Sequence, residues 1–216
     1  KPQTIFHLAA YGAYPFQNDL EIIKKINLDA TINLIQSSKR YGFKKFINTG
    51  SSSEYGFKMK KMSELELLTP NSHYAVFKSA ATIYCEYEAK FNNLPITTLR
   101  PFHAFGPYEE PSRLIPTLIS QLYNNIIPKL VSPNISRDMI YIDDVIDYYI
   151  LSCNNELVNG EIINIGSGKK TNIRQIYSII QKVLHSNIKP QWNTMENRKW
   201  DQEIWLADIK KSKKIF

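Results

Sequence analysis

The sequence predicts an α/β fold built around a mainly parallel sheet, and three observations lead to that prediction. Short apolar runs of strand length alternate along the chain with longer runs whose apolar residues recur at helical spacing. The order in the first half of the chain is strand, helix, strand, helix, strand, which is typical of βαβ units. With 216 residues and 43% apolar content, the chain is also long enough for one substantial core.

The strands predicted in this first half are short and apolar. They are TIFHLAA at 4 to 10, KFINTG at 45 to 50 and ITTLR at 96 to 100. The first helix is predicted over residues 20 to 40, with Asp19 as its N-cap and Gly42 as its stop. The second helix is predicted from Tyr74 to Phe91.

After Arg100 the alternation becomes looser, because PFHAFGPYEEPS at 101 to 112 is rich in turn formers. The elements predicted beyond it are a helix around Leu114 to Tyr123, a strand running into a helix in RDMIYIDDVIDYYILSC at 137 to 153, a strand in EIINIG at 161 to 166, and an amphipathic helix in TNIRQIYSIIQKVL that starts at Thr171 or Asn172. The last third is predicted to form a smaller lobe beside the sheet.

The net charge of +7 raises the question of an anionic partner. Lysines cluster in KMKK at 58 to 61 and in KKSKK at 210 to 214, but neither cluster is interleaved with stacking aromatic residues. We therefore interpret them as solvated faces and expect no nucleic-acid partner. A small anionic substrate would also suit a basic protein.

Composition also bears on the compartment and on metals. No apolar run approaches the roughly 20 residues needed to span a bilayer, and no signal-peptide pattern opens the chain. We expect a cytoplasmic protein with no membrane partner. The two cysteines, Cys85 and Cys153, fall far apart in predicted helices, which argues against a disulfide framework and against a zinc site.

Tyr74 and Lys78 are separated by four positions in NSHYAVFKSAA at 71 to 81, and two interpretations are open, a catalytic pair or two ordinary helix residues. Tyr41 and Lys45 have the same spacing but straddle the predicted helix end at Gly42, so spacing alone decides nothing. A packed tyrosine and a solvated lysine would satisfy it equally well. The sequences around the pair must therefore distinguish the two interpretations.

The ligands of an open parallel sheet bind beyond the carboxyl ends of its strands. The segments expected there are the chain's most unusual local sequences, and they are residues 7 to 10, 50 to 56 and 101 to 106. This coincidence of position and composition favours a binding site at that edge of the sheet.

Seven short motifs follow one another along the chain in a familiar order. They are FHLAA (6 to 10), INLDATINLI (26 to 35), FINTGSSSEYG (46 to 56), HYAVFK (73 to 78), LRPFHAFGP (99 to 107), RDMIYIDDV (137 to 145) and NIGSG (164 to 168). Through them the sequence resembles the extended short-chain dehydrogenase/reductase family, the NAD-dependent epimerases and dehydratases that act on nucleotide sugars. One such motif is weak, whereas seven in order are specific.

The resemblance implies a Rossmann-like doubly wound parallel sheet with a smaller C-terminal substrate lobe. Residues 1 to 110, with segments returning near 137 to 153, would form the dinucleotide-binding domain, and residues 111 to 216 mostly the lobe for the nucleotide sugar. It also implies NAD or NADP as cofactor, a nucleotide-diphosphate sugar as substrate, and a homodimer formed by the helices at 20 to 40 and 74 to 91.

The same resemblance implies roles for individual residues. Tyr74 matches the catalytic tyrosine, Lys78 the lysine that binds the nicotinamide ribose and lowers the tyrosine's pKa, and Ser51 the residue that hydrogen-bonds the reacting sugar hydroxyl. A free tyrosine, with a pKa near 10, is a poor base at neutral pH. Lowering that pKa by about three units would need roughly 4 kcal/mol from nearby positive charge.

Further residues are implied in binding. Those matched to the cofactor are Ala9, Ala10, Pro101 and His103, those matched to the substrate are Ser52, Ser53, His103, Arg137 and Arg198, and Asn27 matches a helix residue that helps hold the site together. His103 stands where many relatives have asparagine, so filling the wall of the cleft is an alternative role. Arg137 could instead pair with Asp138 or Asp143 at the surface.

The sequence departs from the family at its start. It opens at Lys1 without the glycine-rich Gly-x-x-Gly-x-x-Gly fingerprint that holds the cofactor pyrophosphate. We expect roughly 60 to 80 residues upstream, from the usual length of βα units. The alternative is a shortened relative that only binds ligands. GSGKKT at 166 to 171 lacks the leading glycine of a phosphate loop and is not interpreted as one.

The predicted reaction depends on two serines. Dehydratases of the family carry acidic residues at one or both of the positions matched by Ser52 and Ser53, whereas Glu54 lies one position late. We therefore rank an epimerase or a keto-sugar reductase above a dehydratase.

Overall fold

The computed structural model describes residues 2–155, 159–195 and 204–216, and it confirms the α/β fold with a parallel sheet. The large sheet contains four parallel strands, which in sheet order are β1 (Thr4–His7), β2 (Lys45–Thr49), β3 (Ile96–Pro101) and β7 (Ile162–Ile165). The strand β7 comes from the last third of the chain, so a segment beyond 137 to 153 also returns to this sheet.

Two small sheets lie outside the large one. Their strands are β4 (His103–Phe105), β5 (Ser136–Arg137), β6 (Met139–Tyr141), β8 (Thr171–Asn172) and β9 (Ile204–Trp205). Strand β4 pairs in parallel with β6, and β5 lies between β8 and β9. The strand β4 was not predicted, because its turn-rich sequence becomes extended only through its pairing with β6.

The helices are α1 (Leu20–Lys24), α2 (Ala30–Tyr41), α3 (His73–Phe91), α4 (Leu114–Tyr123), α5 (Ile142–Asn154), α6 (Ile173–Val183) and α7 (Lys210–Ile215). They follow the predicted order as far as α6, and α7 was not predicted. Asp19 caps α1 as predicted by accepting the N–H of Ile22, and Gly42 ends α2 with a φ of 71°. Asn172, one of the two predicted starts, caps α6.

Two predicted elements are shorter or more irregular than expected. The first strand ends at His7 rather than at Ala10. The helix predicted over 20 to 40 is interrupted by a π-helical segment at Lys25–Asp29. Asn27 lies buried in that segment, and its side chain donates to the carbonyls of Tyr11 at 2.6 Å and Ile23 at 2.8 Å. The wider turn thus anchors the loop that follows β1.

Helices cover both faces of the large sheet, as a doubly wound fold requires. Successive residues of β2 point to opposite layers: Phe46 packs with Ile35 of α2 and Cys85 of α3, whereas Ile47 packs with Val145 of α5. A separate cluster joins α4 to α6 in the C-terminal part of the chain. Because the sheet is filled from both sides, its strands are nearly continuous runs of buried residues.

Several residues that the sequence analysis considered lie in the helices and strands away from the carboxyl ends of the strands. Tyr41 ends α2 and Lys45 begins β2, so this second tyrosine and lysine do not share a helix. Cys85 and Cys153 are free and lie in α3 and α5. Across the described ranges, no helix is both long and apolar enough to traverse a lipid bilayer. The same ranges contain no cluster of three His, Cys, Asp or Glu suited to a metal ion.

Acid is expected to destabilise the protein through His7, whose side chain is buried at the end of β1. The Thr31 hydroxyl donates to the Asn27 carbonyl at 2.9 Å, so His7 Nε2 must donate to that hydroxyl, also at 2.9 Å. Burial, and then the charge of Lys78, lower the pKa of His7 from 6.5 to about 4. Below pH 6.5, His7 therefore binds a proton in the unfolded chain but stays neutral in the folded protein, so acid favours unfolding.

The resulting loss of stability is about 3 kcal/mol, complete as the pH falls from 6.5 to about 4. Urea unfolding at pH 7 and pH 4.5 should show this loss in the wild type and a much smaller one in His7→Gln. His73→Gln, at an exposed position, is the matched control and should keep the full loss. An equal loss in His7→Gln would assign the acid sensitivity to other groups.

Candidate active site

A cavity of about 600 Å³ opens beyond the carboxyl ends of β2 and β3. Thr49, Gly50 and Ser51 line it after β2, and Pro101 to His103 line it after β3. Its far wall is formed by the beginning of α4 and by the small sheet that contains Arg137 and Trp205. The cavity therefore lies where the sequence predicted a binding site.

Ser51 is held by a tight turn that follows β2. It is the N-cap of a 3₁₀ helix at Ser52–Tyr55, and its side chain accepts the N–H of Ser53 at 3.1 Å. The Glu54 carboxylate accepts the N–H of Ser51 at 2.7 Å, which completes a capping box. This turn presents Ser51, Ser52 and Ser53 to the cavity.

Tyr74 lies in the first turn of α3, which Ser72 caps by accepting the N–H of Ala75. Tyr74 lines the cavity, and its hydroxyl is within hydrogen-bonding reach of the Ser51 side chain. Lys78 follows one helical turn later and is only 2% exposed, with its ammonium donating to the Thr49 carbonyl. The structure thus brings the three predicted catalytic residues together.

The predicted lowering of the Tyr74 pKa by Lys78 is not found. Burial raises the pKa of Tyr74 to about 12, and the hydrogen bond with Ser51 opposes that rise only in part. The Lys78 ammonium is directed at the Thr49 carbonyl, and burial lowers its own pKa while Glu54 raises it. Desolvation of the phenolate therefore outweighs nearby positive charge, and Tyr74 is protonated at neutral pH.

The residues predicted to bind substrate lie around the same cavity. Ser52, Ser53, His103 and Arg137 all line it, while Arg198 lies outside the described residues. Arg137 Nη1 donates to the Ser136 carbonyl at 3.1 Å. The neighbouring Asp138 is fully buried and accepts the backbone N–H groups of Ser167, Gly168 and Ala207, so it is a structural carboxylate.

The wall of the cavity contains His103, which was predicted, and three polar side chains that the sequence analysis missed. Four buried polar atoms there have no hydrogen-bond partner within the described part of the chain, namely Asn71 Nδ2, His103 Nδ1, Glu109 Oε2 and Trp205 Nε1. Burial, followed by the charges of Arg137 and Arg113, holds the pKa of His103 well below its usual range. Buried polar atoms normally have partners, so their concentration here indicates a polar ligand. No sequence motif singles out Asn71, Glu109 or Trp205.

Part of the site fits a nicotinamide dinucleotide. Tyr74 and Pro101 line the cavity, and the one hydrogen bond found within the described residues for the Lys78 ammonium goes to the Thr49 carbonyl. An ammonium has three protons, so two remain for the neighbouring hydroxyls of a ribose. Ala9 and Ala10 are exposed just beyond the end of β1.

The sheet order and the cavity beyond its strand ends define a Rossmann-like α/β protein, with Ser51, Tyr74 and Lys78 as its candidate catalytic cluster. Residues 1–166 match the model of the NAD dependent epimerase/dehydratase family. The chain belongs to this family. Its description names NAD, which confirms the expected nicotinamide cofactor.

Known relatives agree with this assignment. A UDP-glucuronate 4-epimerase of Thermodesulfobacterium geofontis is 31% identical over 217 residues, which cover 99% of this chain and 66% of the relative. A UDP-N-acetylglucosamine 4-epimerase structure from Methanobrevibacter ruminantium, in complex with UDP-N-acetylmuramic acid, aligns over 99% of this chain and 70% of its own with a TM-score of 0.92 and 30% identity.

The structure of a third relative contains both a nucleotide sugar and NAD. The UDP-glucuronic acid 4-epimerase of Bacillus cereus, in complex with UDP-glucuronic acid and NAD, aligns with a TM-score of 0.88 and 27% identity over 99% of this chain and 68% of its own. The present chain thus spans about two thirds of the length of the relatives it matches.

Proposed function

We propose that the protein modifies a nucleotide-diphosphate sugar by NAD-dependent hydride transfer, as an epimerase or as a keto-sugar reductase. The observation that carries this proposal is a cavity lined by Ser51, Tyr74 and Arg137, with the buried Lys78 bonded to the carbonyl of Thr49 in its lining. The relatives described above act on or bind UDP-sugars, which supports a UDP-sugar as the substrate.

In the proposed reaction, two hydroxyl groups contact the reacting oxygen of the sugar, and two cationic side chains bind the cofactor and the substrate. Tyr74 exchanges a proton with the reacting oxygen of the sugar, and Ser51 hydrogen-bonds the same oxygen and holds it in line. Lys78 would hold the nicotinamide ribose, and Arg137 the diphosphate of the substrate. When bound, the nicotinamide accepts or returns the hydride. The protonated Tyr74 of this structure is the form that donates to the oxygen of a ketone.

A dehydratase remains the alternative, but the carboxylate that lies nearest to Ser52 and Ser53 in sequence does not favour it. Ser52 and Ser53, which match the positions where dehydratases of the family carry one or two acidic residues, both line the cavity. Glu54, the nearest acidic residue in sequence, is fully buried against Arg100 and is not among the side chains that line the cavity. A carboxylate so placed cannot reach a sugar carbon.

The proposal is tested by incubating the protein with NAD and each of a panel of UDP-sugars. The NMR signals of the sugar ring protons report any change in the sugar. A 4-epimer formed without net change in NAD would support an epimerase, and consumption of a keto sugar with reduced cofactor would support a reductase. Dinucleotide binding without change in any nucleotide sugar would leave the protein as a binding module and contradict the proposal.

We also propose that the protein is a homodimer built through α3. Val76, Ile83 and Tyr87 form a half-exposed apolar stripe along this helix, at spacings of seven and four residues. Helix α1 packs beside α3 and adds the partly exposed Ile22. A stripe of this kind on two adjacent helices is typical of an interface between like subunits.

Ile83→Asp is expected to convert a dimer into a monomer, because it places a charge at the centre of this stripe. Sedimentation equilibrium would measure the change in mass. Ile179→Asp is the matched control, since Ile179 is similarly exposed, at 60% against 56%, but lies on α6. A monomeric wild type, or a dimer that survives Ile83→Asp, would contradict the proposed interface.

A further inference from the structure

Glu54 joins the backbone of Ser51 to the helix that carries Tyr74 and Lys78. Its side chain is 0% exposed, and its Oε1 accepts the Ser51 N–H at 2.7 Å and the Thr82 hydroxyl at 3.1 Å. Thr82 lies on α3 four residues after Lys78 and eight after Tyr74, so the three share one face of the helix. A single oxygen atom therefore fixes the position of the Ser51 turn against that face.

The other oxygen of Glu54 binds Arg100, which is 2% exposed. Arg100 Nε and Nη2 both donate to Oε2, at 2.9 and 2.8 Å. Arg100 Nη1 donates to the Tyr55 hydroxyl at 3.1 Å, and that hydroxyl donates to Asn164 of β7 at 2.7 Å. Since both oxygens of Glu54 only accept hydrogen bonds, the carboxylate is ionised. The network ties the turn to β3 and β7.

Space for this arrangement exists because residue 50 is glycine. A Cβ atom added at Gly50 would lie 2.7 Å from Glu54 Oε1 and 3.0 Å from Arg100 Cγ. The backbone between β2 and Ser51 is therefore packed directly against the carboxylate.

Glu54 also contributes to the charge around the two catalytic candidates. Burial lowers the pKa of Lys78, and Glu54, followed by Cys85, raises it. Burial raises the pKa of Tyr74, the Ser51 hydrogen bond lowers it, and Glu54 raises it again, with smaller effects from Arg113 and Tyr14. The carboxylate thus favours a charged lysine beside a neutral tyrosine.

We propose that Glu54 is a positioning residue of the site, which holds Ser51 in register with Tyr74 and Lys78 and supplies the countercharge for the buried ammonium. This inference rests on the proposed function, in which those three residues act together. It gives Glu54 a role other than the acid or base of an elimination reaction.

Glu54→Gln tests this role, because it keeps the size of the side chain and removes its charge. The Tyr74 ring is observed in protein labelled with ¹³C at tyrosine Cζ, and Tyr74→Phe identifies its signal. Without the carboxylate, Tyr74 should begin to titrate at a lower pH than in the wild type. In the pH profile of kcat/KM, both limbs should move to lower pH, since the pKa values of Tyr74 and Lys78 fall together.

Two variants serve as controls. Glu88→Gln removes a buried carboxylate that lies on α3 and is paired with Lys39 at 3.4 Å, and it should leave both limbs and the Tyr74 signal unchanged. Glu54→Asp retains the charge and should keep the limbs in place even if the rate falls. If Glu54→Gln does not fold, the double variant Glu54→Gln/Arg100→Met is used in its place in every comparison. The double variant removes both charges of the buried pair.

The outcomes separate this inference from the proposed function. An unchanged Tyr74 titration, with a lower rate but unmoved limbs, would make Glu54 a purely structural residue and overturn the inference. Full turnover in Tyr74→Phe would overturn the proposed function, while the tyrosine titration would still decide whether Glu54 acts on Tyr74. Earlier titration of Tyr74 in Glu54→Gln, but not in Glu88→Gln, would support the inference.

Discussion

Replacing Tyr74 with phenylalanine is expected to reduce turnover of the nucleotide sugar by about 10²- to 10⁴-fold, the usual contribution of a positioned general acid or base. The ring keeps its packing in the first turn of α3, but the hydroxyl that exchanges the proton with substrate is lost. KM should change little, because the substitution leaves in place Arg137, the lining residue proposed to hold the diphosphate. Steady-state kinetics on the active sugar measures both quantities.

The pH dependence of the same variant provides a second measurement. Burial raises the pKa of Tyr74 to about 12, so in the direction where Tyr74 acts as a base the wild-type rate should rise with pH through the alkaline range. Tyr74→Phe should lack that rise. Tyr84→Phe, ten residues later on α3, removes a hydroxyl that donates to Glu88 at 2.9 Å and should retain both rate and pH profile. Equal loss in the two variants would point to helix damage.

The sequence predicted the sheet and most helices because each is encoded by a local pattern. The buried strand at Lys45–Thr49 and the helix at His73–Phe91 each display their own period and their own boundary residues. The π-helical turn at Lys25–Asp29 could not be predicted in this way. It depends on Asn27 reaching the carbonyl of Tyr11, a contact across 16 residues that no local pattern contains.

The residues of the candidate site could be predicted where a motif contains them. Their pKa values could not be predicted, because these depend on burial and on charges that are distant in sequence. Ser51, Tyr74 and Lys78 lie together as the motifs implied, whereas in this structure burial raises the pKa of Tyr74 and Lys78 is not among the groups that lower it. A sequence shows that a lysine lies one turn away, but not that its ammonium is directed at the Thr49 carbonyl. The role of Glu54 was missed for the same reason, since its partner Arg100 is 46 residues away.

Arg100→Met is expected to destabilise the fold by about 3–5 kcal/mol, the usual cost of removing one partner from a buried ion pair. Methionine fills most of the space but leaves the fully buried Glu54 carboxylate without its countercharge and the Tyr55 hydroxyl without one donor. Urea unfolding at pH 7 measures the loss. Lys39→Met should cost less than about 1 kcal/mol, because Lys39 is 41% exposed and the buried Glu88 carboxylate keeps Gln36 and Tyr84 as hydrogen-bond donors.

The pH dependence of Arg100→Met identifies the cause of its instability. Burial already raises the pKa of Glu54, and Arg100 is the main influence that lowers it, so the variant should raise that pKa further. The folded variant then binds a proton that the unfolded chain releases above pH 4.5, and its stability falls as pH rises from there. Adding Glu54→Gln should remove this slope and recover most of the lost stability. A slope that persists in the double variant would show that the buried carboxylate is not its source.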